Sequence, residues 1–224
     1  KRVIDEYTPQ KEGDDQSRHD LFLGVCSNYV CDLQVGDKVQ VTGPSGKRFL
    51  LPVDRNVHDY VFMATGTGIA PFRSMCMDLF DHPDGPTTSQ VHVVMGTPYT
   101  TDLLYDECFC KFAEKYENFH YHKAVSRELR RDGSRGLYVD GLVAEQFDET
   151  FRPLLESERG LLYMCGLKGM EFGIYQWLCR IGSNLISLPE GLTVEAIQHL
   201  QRGDPEWSQI EKTRDKARFF KETY

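Results

Sequence analysis

The sequence predicts an α/β protein: a doubly wound, parallel five-stranded sheet preceded by part of an antiparallel β unit. Three observations predict it. From Asp59 onward, apolar β-type runs alternate with helical stretches, as in βαβ units with helices on both faces of a parallel sheet. Before that point, short β-like runs are split by turns. Glycine turns stand directly after two of the later runs, at the strand ends where ligands bind in such sheets.

The elements follow in chain order. Lys1–Tyr7 reads as a strand and has no apolar stretch of the signal-peptide kind. Residues 13–20 are polar and read as an exposed loop. Ser27-Asn28 can cap a short helix through Leu33, because their side-chain oxygens accept from free N–H groups of a first turn. Asp37–Thr42 reads as a second strand, ending at the turn Gly43-Pro44-Ser45-Gly46. These pieces, residues 1–58, are the end of an antiparallel unit and are too small to close a barrel. The parallel strands are expected at Tyr60–Ala64, Val91–Met95, Phe119–Val125, Leu161–Cys165 and Arg218–Tyr224, and together they make residues 59–224 a second domain. Helices are expected to begin near Pro71, Asp102, Gly141, Lys168 and Trp207.

Composition narrows the function classes. With 40% hydrophobic, 27% charged and 12% aromatic residues, the 224-residue chain has the makings of an ordinary packed core. No apolar run approaches the ~18 residues of a membrane helix, so no membrane span is expected. The net charge of −8 argues against a nucleic-acid binder. Seven cysteines without a CxxC pair argue against a disulfide framework, and seven histidines without ligand spacing predict no metal site.

Chemistry concentrates at the strand ends. Thr65-Gly66-Thr67-Gly68-Ile69-Ala70-Pro71 puts a glycine turn ahead of a helix N-terminus, whose free N–H groups and dipole suit a pyrophosphate. Pro71 stands where the usual dinucleotide fingerprint has a third glycine, so the match is partial, and a plain strand-to-helix turn is the alternative. Cys165, at the lip of the fourth strand before Gly166-Leu167-Lys168, is either a small buried hydrophobe or a neighbour of a bound cofactor's reacting centre. Ser126-Arg127 after the third strand suits a 2′-phosphate, the group that separates NADPH from NADH, or is a solvent-facing loop. Tyr138 can stack on adenine or sit in the surface. Glu222-Thr223-Tyr224 either frays or covers a flat ligand.

Taken together, GVCSN (24–28), TGPSGK (42–47), TGTGIAPFR (65–73), LLY (103–105), VSRE (125–128), YMCGLKGME (163–171) and a last E-x-Y (222–224) resemble the plant-type ferredoxin–NADP(+) reductase family over nearly the whole chain. The resemblance implies the end of an FAD-binding antiparallel barrel followed by an NADP(H)-binding α/β domain. It implies a flavoenzyme that passes electrons between a ferredoxin-like acidic carrier and NADP(H), with hydride exchanged between flavin N5 and nicotinamide C4. Lys1, Tyr7, Val25, Cys26 and Ser27 would then meet FAD, and Thr65 would bridge flavin and nicotinamide. Thr97, Pro98, Gly166 and Leu167 would line the NADP(H) path, while Ser126, Arg127 and Tyr138 would hold its 2′-phosphate and adenine. Cys165 and Glu222 would flank the reacting atoms, and Tyr224 would stack on the isoalloxazine until nicotinamide displaces it. Lys1, Arg2, Lys47, Arg48 and Arg73 are candidates for a basic rim facing the acidic carrier. The resemblance also implies a plastid protein, with a mitochondrial or bacterial one as the alternative, associated at most with a membrane surface or larger complex.

This chain departs from the family in several ways. The arginine-x-tyrosine-serine flavin motif is absent, Gly136 beside Arg135 replaces a frequent lysine, and Asp140 replaces a glutamine. Residues 187–204 read as an insertion. The missing flavin motif keeps open a second reading: a reductase-derived domain retained as a non-catalytic, structural or NADPH-binding subunit.

Overall fold

A computed structural model describes residues 25–43, 49–201 and 203–224. The chain divides into two compact units, residues 1–45 and 46–224. In the first, helix α1 spans Val25–Asp32, beginning ahead of the expected Ser27-Asn28 cap. The strand expected over residues 37–42 does not form. Strand hydrogen bonds come only from a partner strand; none is present among the described residues of this unit, and Val39 and Val41 face solvent.

The second unit holds the sheet. Strands β1 (Asp59–Thr65), β2 (Val91–Thr97), β3 (Phe119–Val125), β4 (Gly160–Gly166) and β5 (Phe219–Thr223) lie in the order β3-β2-β1-β4-β5, all parallel. The central strand shows why it is central. Tyr60 through Ala64 are all fully buried, the unbroken apolar run required of a strand covered on both faces. At the β3 edge the pattern relaxes to Phe119-His120-Tyr121-His122-Lys123, with large aromatics on one face only.

Two apolar layers clamp the sheet. Phe62, Ile69, Phe72, Leu79 and Tyr163 pack beneath α2 (Ile69–Phe80) and α3 (Asp106–Lys115), with the Phe62 and Phe72 rings stacked at 4.9 Å. Met63, Val94, Met164, Ile174 and Trp177 fill the opposite layer, under α4 (Val139–Glu145), α5 (Arg152–Leu155) and α6 (Lys168–Arg180). Residues just before β1 join the first layer: Phe49 lies 5.8 Å from Phe72, and the Tyr163 hydroxyl donates to the Leu50 carbonyl at 2.8 Å.

Three expectations shift. The helix expected near Asp102 begins at Asp106, because residues 100–102 form a separate 3-10 turn. The one expected near Gly141 begins at Val139, with Tyr138 as its N-cap. Residues 187–204 contain a helix, α7 (Val194–His199), whose first turn is capped by Thr193 Oγ1 accepting from the Ala196 amide at 3.2 Å. Helix α8 (Trp207–Lys212) follows, and its Trp207 ring lies 4.2 Å from Phe172 of α6. No described helix is long and apolar enough to cross a membrane.

Candidate active site

The sheet order changes direction at β1: β2 and β3 run outward on one side, β4 and β5 on the other. The carboxyl ends of β1 and β4 therefore border the crevice where open α/β sheets bind ligands. Both ends turn on glycines, and the two turns press on each other. A Cβ at Gly68 would lie 2.1 Å from the Cys165 carbonyl oxygen, and one at Gly166, whose φ is +145°, would lie 2.2 Å from Thr65 Oγ1. Only glycine permits that approach. The two turns are tied by the Leu167 amide donating to Thr65 Oγ1 at 2.8 Å.

The last residue of the sequence closes this arrangement. The Tyr224 amide donates to the Gly166 carbonyl at 3.0 Å, and the Lys168 amide donates to the Tyr224 carbonyl at 3.1 Å. The Tyr224 hydroxyl meets Thr67 Oγ1 at 2.6 Å, while 61% of the residue stays exposed. A cleft of about 580 Å³ opens beside it, lined by Thr65, Tyr138, Asp140, Leu167, Met170 and Tyr224 among others. Its walls are mainly apolar with a few polar groups, the usual make-up of a small-molecule site.

Cys165 and Glu222 are register partners on adjacent strands. Cys165 is almost completely buried, and burial, then the Glu222 charge, raises its thiol pKa. Both effects keep the sulfur protonated at neutral pH, so the site holds a thiol beside a carboxylate rather than a thiolate nucleophile.

The remaining candidates form a neighbouring group. The Thr97 carbonyl accepts from the Ser126 amide at 2.9 Å and its hydroxyl at 3.3 Å, and the Pro98 carbonyl accepts from the Arg127 amide at 2.9 Å. Arg127 is exposed. This group joins the ends of β2 and β3 but does not line the cleft. Asp140 does line it, with its carboxyl against Gly173 of α6. In the first unit, Val25, Cys26 and Ser27 lie on α1, where Cys26 is exposed; Lys1, Tyr7, Arg2, Lys47 and Arg48 lie outside the described residues. Arg73 sits over the Tyr105 ring at 5.1 Å. Among the described residues no cluster suits a metal ion.

Sequence reasoning missed Thr67, Met170 and Phe172 as site residues. All three lie in or beside the quoted glycine motifs.

Comparison with known proteins agrees with this geometry. The family model described as the oxidoreductase NAD-binding domain matches residues 62–175. The embryo isozyme of chloroplastic ferredoxin–NADP reductase from Oryza sativa subsp. japonica is 40% identical over 178 residues, 78% of this chain and 46% of the relative. Leaf isozyme 1 from Arabidopsis thaliana is 42% identical over 158 residues, 69% of this chain and 43% of the relative. The chain thus spans about half the length of these curated relatives. Among solved structures, ferredoxin-NADP+ reductase from Plasmodium falciparum with 2′P-AMP superposes with a TM-score of 0.63 at 23% identity, covering 90% of this chain and 66% of that one. That last likeness speaks for the fold.

Proposed function

Because the chain belongs to the oxidoreductase NAD-binding domain family, with relatives of the plant-type ferredoxin–NADP reductase kind, we propose that it is the NADP(H)-binding part of such a flavoenzyme. The single observation that carries the reading is the crossing of the two glycine turns at the switch point, with Cys165 and Glu222 side by side and Tyr224 over the cleft. In this reading it is a place for a flat ring to approach a second flat ring.

Each residue has a task in this reading. The Gly66–Gly68 turn and the start of α2 take the pyrophosphate of NADP(H), where free amides and the helix dipole favour negative charge. Thr65 and Leu167 line the approach to the nicotinamide, and Tyr138 offers its exposed ring to adenine. Ser126 and the exposed Arg127 hold the 2′-phosphate, the guanidinium supplying charge-assisted hydrogen bonds. Cys165 orients the ring as a neutral thiol, and Glu222 supplies a charge that is felt at the same centre. Tyr224 presents its exposed face as a removable cover whose hydroxyl is parked on Thr67.

FAD fits this arrangement through the Tyr224 face and the Cys165–Glu222 pair, and when bound it supplies exchange between one-electron and two-electron carriers. Within the first unit, Lys1, Tyr7, Val25, Cys26 and Ser27 are proposed as FAD-binding residues on the sequence resemblance alone. The electron partner is a ferredoxin-like acidic carrier, and the relatives' chloroplast origin makes a plastid the proposed location.

The test is an absorption spectrum of the full-length protein followed by addition of NADPH and then NADH. Flavin absorbance near the visible blue, bleached by NADPH far faster than by NADH, is the expected result. A colourless full-length protein that oxidises neither nucleotide would favour the non-catalytic subunit instead.

A further inference from the structure

On the α6 face of β5, beside the cleft that Lys168 also lines, lies a buried cluster of charges, and we propose that Glu171 is the positioning residue that sets Glu222 and Tyr224 in place. Glu171 sits in the first turn of α6 and is fully buried. A carboxylate so far from water persists only when paired and hydrogen-bonded. One of its oxygens accepts from Lys221 Nζ, and the other accepts from Thr223 Oγ1 at 2.5 Å. Lys168 Nζ lies 3.3 Å from that second oxygen. Glu211 of α8 closes the ring, 3.0 Å from Lys168 Nζ and 3.3 Å from Lys221 Nζ. Two carboxylates meet two ammonium groups, so the cluster is neutral as a whole.

The placement of these groups along β5 gives the cluster its purpose. Successive side chains of a strand point to opposite faces. Lys221 and Thr223 turn toward α6, while Phe220 and Glu222 turn to the other face, where Phe220 stacks on Tyr163 at 4.6 Å and Glu222 pairs with Cys165. The residues that grip Glu171 thus alternate with the residues that build the site. β5 has five residues and bonds to β4 alone, so backbone pairing holds it from one side only. A slip of one residue would swap its faces, carrying Thr223 to the face of Cys165 and Glu222 into the cluster. The two bonds to Glu171 forbid that slip. Glu211 comes from the helix that follows residues 187–204, which gives the chain's additional segment a role: it delivers the second carboxylate.

This inference rests on the reading of Glu222 and Tyr224 as site residues. The experiment uses the full-length protein with Glu171→Gln, which keeps the side chain's size and its bond from Thr223, and separately with Thr223→Val. Positioning predicts that either variant lowers kcat for NADPH oxidation roughly 10-fold while KM for NADPH moves little, as expected when reacting groups are misplaced by a fraction of an ångström. It also predicts that in a chain already carrying Glu222→Gln and Tyr224→Ala, adding Glu171→Gln costs no further activity. Hydrogen exchange of the β5 and Tyr224 amides should speed up in Glu171→Gln while β1–β3 stay protected. An equal loss from Glu171→Gln in both backgrounds would overturn the proposal, as would unchanged exchange at Tyr224. If the wild-type protein oxidises no NADPH, the functional reading fails by itself and the exchange measurement still decides whether Glu171 anchors the strand.

Discussion

The two edges of the sheet solve one problem in opposite ways. Each must hold polar side chains on the face that packs against helices. At the β3 edge, His92, His120 and His122 stack, with ring centroids 4.3 and 5.3 Å from His92, and Phe151 closes over them. His92 Nδ1 and His122 Nε2 share a hydrogen bond at 3.1 Å. Burial first, then mutual repulsion, brings His92 down to about 3 and His122 to about 4, so the cluster is held neutral. At the β5 edge the groups are charged and matched, Glu171 and Glu211 against Lys168 and Lys221. A neutral stack tolerates the loss of a member; a matched ring leaves a buried charge behind. The edge beside the cleft is therefore the more strictly specified one.

Breaking the β5 ring carries the largest expected effect. Lys221→Met deprives Glu171 of a partner and should cost about 3 kcal/mol in urea unfolding. A cost near zero would mean that the two edges are equivalent after all.

Acid should act on the other edge. The three histidines have lowered pKa values in the folded state, so the unfolded chain binds protons first as pH falls below about 6.5. Their stabilising contribution is complete above that pH and is lost as pH falls through the window down to about 3 to 4. For His92 the loss reaches about 2 kcal/mol at pH 5. His92→Leu should flatten the slope of unfolding free energy between pH 7 and pH 5; a slope as steep as wild type would place its origin elsewhere.

The smallest change separates stability from function. Thr67→Val removes the exposed tether of the Tyr224 hydroxyl and should alter stability by less than about 0.5 kcal/mol. NADPH should bind roughly twofold tighter, since the cover is easier to move. Weaker binding, measured by titration, would argue that Thr67 contacts the nucleotide rather than the tyrosine.

Much of this was legible in the residues. The run Tyr60–Ala64 announces a strand buried on both faces, and alternation with helices announces parallel pairing. Thr65–Pro71 and Cys165–Lys168 mark the two turns. The histidine stack was not legible, because His92 lies 28 residues from His120 and only the parallel register brings them side by side. Nor was the failure of residues 37–42 to form a strand, since local β-propensity contains no statement about partners.

By itself the sequence determined the strands of the sheet, the glycines at their ends and the family they belong to, because period and turn chemistry are local properties. Tertiary structure decided that Gly68 and Gly166 press on each other's turns, that Cys165 faces Glu222, and that Glu171 grips the strand bearing Tyr224. Those are contacts between residues about 50 to 100 positions apart, and they exist only once β4 and β5 have paired beside β1.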